Sequence, residues 1–500
     1  MEKKLSELKS ILGRVSDLNH ASALLGWDQQ TYLPPGGSQA RGYQLGTLNS
    51  LSHELFTSSE VGELLEDLEE YQEELDPDSD EARLLQVTAR DYRKSTQVPS
   101  AFVEEFSRVT SHAHAAWEQA RENDDFAHFQ PHLERIVELR REYANFFAPY
   151  DHIYDPLLDD FEPGMKTASV LEIFSELRPR QVALIQDIGD REQVDDEFLH
   201  QPFSEDKQWD FGEEVITRYG YDWERGRQDK AAHPFTTSFS INDVRITTRV
   251  DPEFLNTALF GTLHEGGHAI YEQGVAQDLE RTPLAGGTSL AIHESQSRMY
   301  ENLLGRSFDF WVYFYPRLQE YFPSQLGNVD LEAFYHGVNK VEPSLIRVEA
   351  DEATYNLHIM LRLELEIALM EGKLQVSDLP EAWNEKMDDY LGIIPPNDAQ
   401  GVLQDVHWSS GILGYFPTYA LGNLVSAQLW ETIQEDIPGL PDQIRQGEFD
   451  QLLSWLREEI HRHGEKFKPQ ELVERVTGSR IEPEPYLRYL TGKFGDIYQL

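Results

Sequence analysis

Hydrophobic residues recur at helical spacing along most of the chain. Leu5, Leu8 and Ile11 begin one such stripe near the N-terminus. The same period predicts further amphipathic helices over residues 60–76, 167–188, 355–371 and 449–462. The clearest run of β-branched residues is Thr236–Val250, in which Asn242 and Asp243 can form a hairpin turn. The pattern therefore predicts a mainly α-helical protein with one small antiparallel sheet.

The length of the chain bears on its domain organisation. A chain of 500 residues is too long for one compact core of ordinary size, so we expect two lobes or fused helical layers. No Ser/Gly-rich linker, internal repeat or low-complexity tract divides it. We therefore expect a single unit with a largely helical part at 1–230, a central part at 231–425 that carries the motifs described below, and C-terminal helices at 426–500.

The charge balance excludes several classes of partner. The chain has 43 Lys and Arg against 89 Asp and Glu, a net charge of −46. Nucleic acids and anionic membrane surfaces both require a basic footprint, so we expect neither as a partner. Only 13 of the 43 cations are lysines. An acidic, Lys-poor surface favours adaptation to high salt, with an ordinary acidic cytosolic protein as the alternative.

Two segments bear on location. The charged N-terminal residues 1–15 lack the apolar segment of a signal peptide. The longest stretch without Asp, Glu, Lys or Arg is Val406–Trp430, which contains Pro417, three glycines and several polar residues. This composition is unlike a membrane span. We predict a buried loop and helix that line a site, and a cytoplasmic protein.

The sequence His264-Glu265-Gly266-Gly267-His268 is an H-E-x-x-H motif. Histidines at positions i and i+4 of a helix lie on one face and can bind the same metal ion. Glu265 lies one step around the helix, where it can act as general base on a metal-bound water. Because the chain has no cysteine, a transition metal must be held by His, Asp or Glu.

The context of this motif is that of a helix. Asp251-Pro252-Glu253 predicts its start and Gly274 its C-cap. Gly266 and Gly267 inside a helix cost roughly 1 kcal/mol each relative to Ala, which indicates a close approach to the backbone, with substrate as one candidate. The predicted hairpin ends just before this helix, where a zinc peptidase places the strand that pairs with an extended peptide.

A catalytic zinc site usually has three protein ligands. Glu294, 26 residues after His268, would complete a His₂Glu set. His293 and Glu301 remain alternatives on chemical grounds, and cobalt suits the same ligands as zinc.

Further motifs follow in a fixed order. They are His233-Pro234-Phe235, Asp243-Val244-Arg245-Ile246-Thr247, the H-E-x-x-H motif, His293-Glu294-Ser295, Ile346–Asp351 and Gly401–Trp408. With these six motifs the chain resembles the carboxypeptidase Taq family of zinc metallocarboxypeptidases over essentially its whole length.

The resemblance implies a helix-rich, two-lobed fold with a deep central groove, similar to neurolysin and angiotensin-converting enzyme. It also implies a homodimer that removes single residues from peptide C-termini with broad side-chain tolerance. Among the alternatives for the third zinc ligand it selects Glu294.

Four candidate substrate contacts lie in the same motifs, and two tyrosines follow the last of them. An arginine recognises a terminal carboxylate better than a lysine does. Arg347 is favoured for this contact over Arg245, for which a purely structural role is the alternative. His233 and His407 are candidates for contact with the substrate or its oxyanion, and so are the phenols of Tyr415 and Tyr419, for which aromatic packing is the alternative. Asp351 and Asp405 are candidate acceptors for the ligand imidazoles.

These observations lead to a zinc-dependent carboxypeptidase acting on peptides, with zinc on His264, His268 and Glu294 and with Glu265 as general base. One alternative is an oligopeptidase or dipeptidase with the same chemistry. A second is a metal-stabilised binding protein without turnover, which would have no use for Glu265 as a base.

Overall fold

The computed structural model describes residues 1–500, and most of them lie in helices. The α-helices are α1 (Glu2–Thr31), α2 (Ser38–Phe56), α3 (Ser59–Glu74), α4 (Asp80–Gln97), α5 (Ser100–Asn123), α6 (Phe126–Phe146), α7 (Asp155–Leu158), α8 (Thr167–Gly189), α9 (Glu205–Tyr219), α10 (Leu255–Gly274), α11 (Leu290–Arg298), α12 (Phe308–Tyr321), α13 (Pro323–Leu326), α14 (Leu331–Val338), α15 (Tyr355–Glu371), α16 (Leu379–Leu391), α17 (Pro417–Asp436), α18 (Leu440–Arg445), α19 (Asp450–Glu459), α20 (Pro469–Thr477) and α21 (Glu484–Tyr498). A π-helical turn, Met299–Leu304, continues α11.

The helices predicted from periodicity are present. The stripes at 60–76, 167–188, 355–371 and 449–462 correspond to α3, α8, α15 and α19. In α1 the predicted stripe buries Leu5, Leu8 and Ile11. In α3, α8 and α19 one face packs on a core, as amphipathic spacing predicts. Helix α15 is instead buried along nearly its whole length, so 355–371 is a helix but not an amphipathic one.

The sheet has three strands, β1 (Gly226–Lys230), β2 (Thr236–Ser240) and β3 (Asp243–Thr248), in the order β1-β3-β2. Strands β2 and β3 form the predicted antiparallel hairpin, but β1 pairs with β3 in parallel, so the sheet is mixed rather than antiparallel. The sequence of β1, Gly-Arg-Gln-Asp-Lys, has no β-branched residue that would indicate a strand. The Tyr221 hydroxyl donates to the Val244 carbonyl oxygen at 2.8 Å, which ties the approach to β1 to strand β3.

Two hydrophobic cores of very different size organise the chain. The main core contains 99 buried residues between Ala113 and Tyr498. The smaller core contains 14 residues, drawn mainly from α1, α3, α4 and the loop after α10. The N-terminal helices therefore form a satellite on a large helical body that shares one continuous core.

Helix α10 begins at Leu255 and not at the predicted Asp251-Pro252-Glu253. The carbonyl oxygens of Asp251 and Pro252 accept hydrogen bonds from the Gln208 side chain and from the Phe203 backbone, respectively. These bonds to α9 and to the segment just before it hold 251–253 as a turn, so the helix starts three residues later.

The uncharged stretch at 406–430 forms a short 3₁₀ turn, His407–Ser410, followed by most of α17. Helix α17 is buried along nearly its whole length and packs against α11. No helix of the chain is both long enough and apolar enough to span a bilayer.

Candidate active site

Three of the predicted metal ligands converge between α10 and α11. His264 and His268 lie one turn apart on α10, and Glu294 lies on α11. The Glu294 Oε2 atom is 3.6 Å from Nε2 of His264 and 3.5 Å from Nε2 of His268. One donor atom from each residue lies within 4.8 Å of the other two, so one ion can contact all three.

Glycines allow the supporting helices to approach each other. A Cβ atom on Gly267 would lie 2.7 Å from the Ser297 Cα atom of α11, and a Cβ atom on Gly422 of α17 would lie 2.7 Å from the Glu294 Cβ atom. A Cβ atom on Gly266 would lie 2.8 Å from a methyl carbon of Ile216. Close packing of neighbouring helices thus explains both glycines of the H-E-x-x-H motif, without an approach of substrate to the backbone.

Behind His264 lies a second carboxylate. The His264 Nδ1 atom is 2.8 Å from the Glu301 Oε2 atom, which fixes the orientation of the ring. Arg298 donates to Glu294 at 2.7 Å and to Glu301 at 3.2 Å. Burial alone would raise the pKa of Glu301, but Arg298 and the contact with His264 outweigh it and lower this pKa to about 2. Glu301 is therefore a charged partner of His264.

Behind His268 lies a histidine. The Nδ1 atoms of His268 and His293 are 2.5 Å apart, and the His293 Nε2 atom is 2.7 Å from the Glu272 Oε1 atom. Each ligand imidazole therefore has an outer partner, and the two alternative third ligands, His293 and Glu301, occupy these outer positions.

The two aspartates predicted for the outer positions lie elsewhere. Asp351 accepts hydrogen bonds from the backbone N–H groups of Ala353 and Thr354 at the start of α15. Asp405 lies between the guanidinium groups of Arg347 and Arg362.

Glu265 is buried beside the ligand set, with 6% of its surface exposed. The Thr236 hydroxyl, at the start of β2, lies 2.6 Å from the Glu265 Oε2 atom and 3.0 Å from the Glu265 carbonyl oxygen. Burial raises the pKa of Glu265, and the hydrogen bond from Thr236 opposes this shift. The hairpin thus holds the carboxylate that the sequence assigned as the base.

Arg347 is buried and held from two sides. Its Nε and Nη2 atoms contact Asp405 at 3.0 and 2.9 Å, and its Nη1 atom donates to the Tyr355 hydroxyl at 3.0 Å. The face of the guanidinium lies 5.1 Å from the centroid of the Tyr419 ring. The Arg298 guanidinium lies over the Tyr355 ring, 4.5 Å from its centroid. Arg347 is therefore connected to Glu294 through the side chains of Tyr355 and Arg298.

His407, Tyr415 and Tyr419 form one aromatic cluster beside Arg347. The centroid of the His407 ring lies 5.4 Å from that of Tyr415 and 6.4 Å from that of Tyr419. Burial and the nearby arginines lower the pKa of His407 to about 4, so its imidazole is neutral at pH 7. Its buried Nδ1 atom has no hydrogen-bond partner within the protein.

The two remaining candidates lie on the sheet side. His233 is exposed in the loop that leads into β2. Arg245 forms two hydrogen bonds to the carboxylate of Asp243, at 2.8 and 2.9 Å. Its guanidinium lies between the rings of Trp27 and Phe239, at 4.5 and 4.9 Å from their centroids. These contacts join α1 to the hairpin and support the structural alternative for Arg245.

Sequence reasoning missed several supporting residues. Arg298 stands four residues after Glu294 and three before Glu301, a helical spacing that could have indicated a shared cation. Thr236, Tyr355 and Arg362 come from distant parts of the chain, and no local pattern marks their contacts with the site.

A helical fold that brings an H-E-x-x-H helix and a carboxylate from the next helix together defines a metallopeptidase. The chain belongs to the carboxypeptidase Taq (M32) metallopeptidase family, whose model matches residues 7–494. It is therefore a metallocarboxypeptidase, a hydrolase that acts on peptide bonds and uses a metal cofactor.

Individual relatives agree with this assignment. The chain is 45% identical over 486 residues to thermostable carboxypeptidase 1 of Thermus thermophilus, covering 95% of each chain. It is 39% identical over 495 residues to carboxypeptidase 1 of Bacillus subtilis, covering 99% of this chain and 98% of that one. The crystal structure of an M32 carboxypeptidase from Deinococcus radiodurans R1 superposes with a TM-score of 0.97 at 41% identity, with full coverage of both chains.

Proposed function

We propose that the chain hydrolyses the last peptide bond of its substrates with zinc held by His264, His268 and Glu294 and with Glu265 as general base. The convergence of three donor atoms beside a buried carboxylate carries this proposal. Two imidazoles and one carboxylate are a common ligand set of catalytic zinc, and cobalt fits the same set. When bound, such a metal polarises a carbonyl group and lowers the pKa of a water molecule.

Glu265 performs the proton transfers in this proposal. One of its carboxylate oxygens accepts the proton of the attacking water and later returns it to the amine of the leaving residue. The hydroxyl of Thr236 holds the carboxylate in one orientation. Because burial raises the pKa of Glu265, its carboxylate is a stronger base than an exposed one.

Arg347 supplies recognition of the substrate end. A guanidinium can bind the free terminal carboxylate with two parallel hydrogen bonds. Asp405 and Tyr355 fix the orientation of Arg347 before substrate arrives, so less side-chain entropy is lost on binding. An anchored terminus close to the metal ligands favours removal of one residue at a time.

Polar atoms near Arg347 are available for the scissile carbonyl. The neutral imidazole of His407 and the phenols of Tyr415 and Tyr419 are candidates for donation to the oxyanion as it forms. His233, exposed beside β2, is a candidate for contact with the substrate backbone. Arg245 is assigned a structural role, because its guanidinium lies between the rings of Trp27 and Phe239 and joins α1 to the hairpin.

The substitution Glu265→Gln tests the central assignment. It keeps the size of the side chain but removes the base, so we expect turnover to fall by at least about a thousandfold while one metal ion per chain is retained. Peptide hydrolysis and metal content by atomic emission are the measurements, with the exposed Glu253→Gln as the control. A metal-loaded Glu265→Gln variant with normal turnover would contradict the assignment.

Three properties rest on family resemblance and on charge. We propose a homodimer, a cytoplasmic location and broad tolerance for the last side chain of the substrate. Light scattering of the purified protein would show a mass of twice 57.7 kDa if the dimer is correct.

A further inference from the structure

A cavity that shares no lining residue with the candidate active site has an unexpected charge. It has a volume of 380 Å³ and lies between α4, the loop after α6 and the segment 155–166. Its only acidic lining residues are Asp155 and Asp159, whereas five cations line it: Arg90, Arg93, Lys94, Lys166 and Lys468. The balance is the reverse of that of the whole chain, which has twice as many acids as cations.

Two of the five cations have no carboxylate partner. Lys94 lies 2.8 Å from Asp159, Lys166 lies 2.9 Å from Asp151, and Arg90 lies 2.8 Å from Asp91. Arg93 and Lys468 form no ion pair, although the chain offers 89 acidic side chains. Both also line a neighbouring cavity of 270 Å³, so they lie between the two cavities. Unpaired cations beside a cavity are suited to an anion from solution.

The wall near Lys468 is preformed. Gly164 has a left-handed backbone conformation, with φ of +83°, and its N–H donates to Asp159 Oδ1 at 2.7 Å. A Cβ atom on Gly164 would lie 3.2 Å from the Cδ atom of Lys468. The loop therefore packs directly on the aliphatic part of this lysine and limits where its ammonium group can lie.

Part of the remaining wall is apolar. It is formed by Phe147, Pro149, Tyr150, Pro156 and Met165. The Lys94 ammonium lies 6.0 Å from the centroid of the Phe147 ring, so a cation and an aromatic ring are neighbours in this lining. A site that combines cations with aromatic carbon is suited to a ligand with an anionic end and a flat apolar body.

We propose that this cavity binds a small phosphate ester with a flat aromatic body, of which a nucleoside monophosphate is a simple representative. Arg93 and Lys468 bind the phosphate, whose two negative charges match the two unpaired cations. The apolar wall contacts the aromatic body. The cavity volume lies in the range of small-molecule sites.

The proposed site is separate from the metal centre, but one segment connects them. After Asp159 the chain continues to Phe161, whose carbonyl oxygen accepts from the Leu290 N–H at 3.3 Å, and to Glu162, whose carboxylate accepts from the Ala291 N–H at 2.5 Å. Both bonds hold the N-terminus of α11, the helix of Glu294. None of the residues that line the cavity takes part in the proposed hydrolysis.

Binding of AMP to the zinc-loaded protein tests the proposal, with adenosine and inorganic phosphate as the other ligands. The variant is Arg93→Gln with Lys468→Gln. The matched control is Arg191→Gln with Arg480→Gln, two exposed arginines that also form no ion pair and lie outside the cavity. Both double variants change the net charge by the same amount, so a general electrostatic effect would weaken binding equally in each.

In calorimetric titrations at about 0.15 M salt we expect AMP to bind wild type more tightly than either adenosine or phosphate. The cavity variant should weaken AMP binding at least tenfold, while the control should change it less than twofold. Equal weakening in both variants, no binding of AMP to wild type, or phosphate binding as tight as that of AMP would overturn the proposal. Peptidase activity without AMP should be unchanged in both variants, which separates this test from that of the proposed function.

Discussion

Thr236 illustrates how a single hydroxyl can control the catalytic base. It lies on the sheet, 29 residues before Glu265, and contacts both the carboxylate and the backbone of that residue. A hydrogen bond to the charged form of a carboxylate favours ionisation, so the hydroxyl lowers the pKa of Glu265 while burial raises it. The working pH range of the enzyme should therefore depend on this contact.

The substitution Thr236→Val removes the hydroxyl and keeps the shape of the side chain. Without the hydrogen bond the pKa of Glu265 rises further, so a higher pH is needed to ionise the base. We expect the acidic limb of the kcat/KM profile to move to higher pH and kcat at pH 7 to fall by about tenfold.

Thr237→Val is the control, because Thr237 is the next residue of the same strand and its side chain makes no hydrogen bond. If Thr236→Val left the acidic limb in place, or if Thr237→Val moved it equally, the hydroxyl would not act on Glu265.

At the residue scale the sequence was sufficient to predict which three side chains converge, and insufficient to predict the residues that support them. The positions of His264, Glu265 and His268 follow from helical spacing within five residues, so the motif implies its own geometry. Glu294 needed the family resemblance, since His293 and Glu301 offered similar chemistry. The supporting contact from Thr236 depends on the way the hairpin packs against α10, which no spacing along the chain reveals.

At the scale of elements, the close packing of α10 on α11 positions the three proposed ligands. Gly267 has backbone atoms of α11 in the space that a side chain would occupy, the nearest being the Ser297 Cα atom. Gly261 lies on the same helix, and a Cβ atom there would meet only the Thr248 hydroxyl, at 3.7 Å. The two glycines therefore differ in packing while they share the same helical backbone.

The pair Gly267→Ala and Gly261→Ala tests this packing. Gly267→Ala must separate two helices that both carry ligands, so we expect zinc affinity to fall at least tenfold and the melting temperature to drop. Gly261→Ala should be neutral or stabilising by up to about 1 kcal/mol, because Ala favours the helix. Metal titration and thermal unfolding are the measurements. Equal effects of the two substitutions would show that helix separation is not what positions Glu294.

The elements also show where periodicity ceases to be informative. Amphipathic stripes predicted α3, α8 and α19 because each buries one face, whereas α15 was predicted as a helix although it is buried on nearly all sides. Strand β1 has a polar sequence and owes its conformation to pairing with β3 and to the contact of Tyr221 with Val244. The start of α10 was wrong by a few residues because tertiary hydrogen bonds hold Asp251 and Pro252 in a turn.

At the scale of the whole molecule, charge is the dominant property. Helix α3 alone carries eight acidic side chains and no basic one. Only Asp67 of this helix forms an ion pair, with Lys4. Repulsion among such surface carboxylates destabilises the compact state at low ionic strength and is screened by salt.

We expect the melting temperature to rise between about 0.1 M and about 3 M KCl, with most of the gain in the first molar, because the screening length shortens fastest there. Thermal unfolding over this range is the measurement. Sucrose of equal osmolality is the control, since an excluded neutral solute stabilises proteins without screening charge. A melting temperature that is indifferent to KCl, or that responds equally to sucrose, would contradict salt adaptation.

We expect a peptidase that recognises a free C-terminus and releases one residue at a time. Both expectations rest on the proposed role of Arg347, a buried arginine that Asp405 and Tyr355 fix and that Tyr355 and Arg298 connect to the proposed metal ligands. An oligopeptidase or dipeptidase of the same chemistry would not require such an anchor in this place.

The most direct test follows one peptide and its C-terminally amidated form by mass spectrometry during digestion with the zinc-loaded enzyme. We expect a ladder of products from the free acid, each shorter by one residue, and at least a hundredfold slower cleavage of the amide, which lacks the charge that Arg347 is proposed to bind. Internal fragments, release of dipeptides, or equal cleavage of the acid and the amide would contradict this expectation.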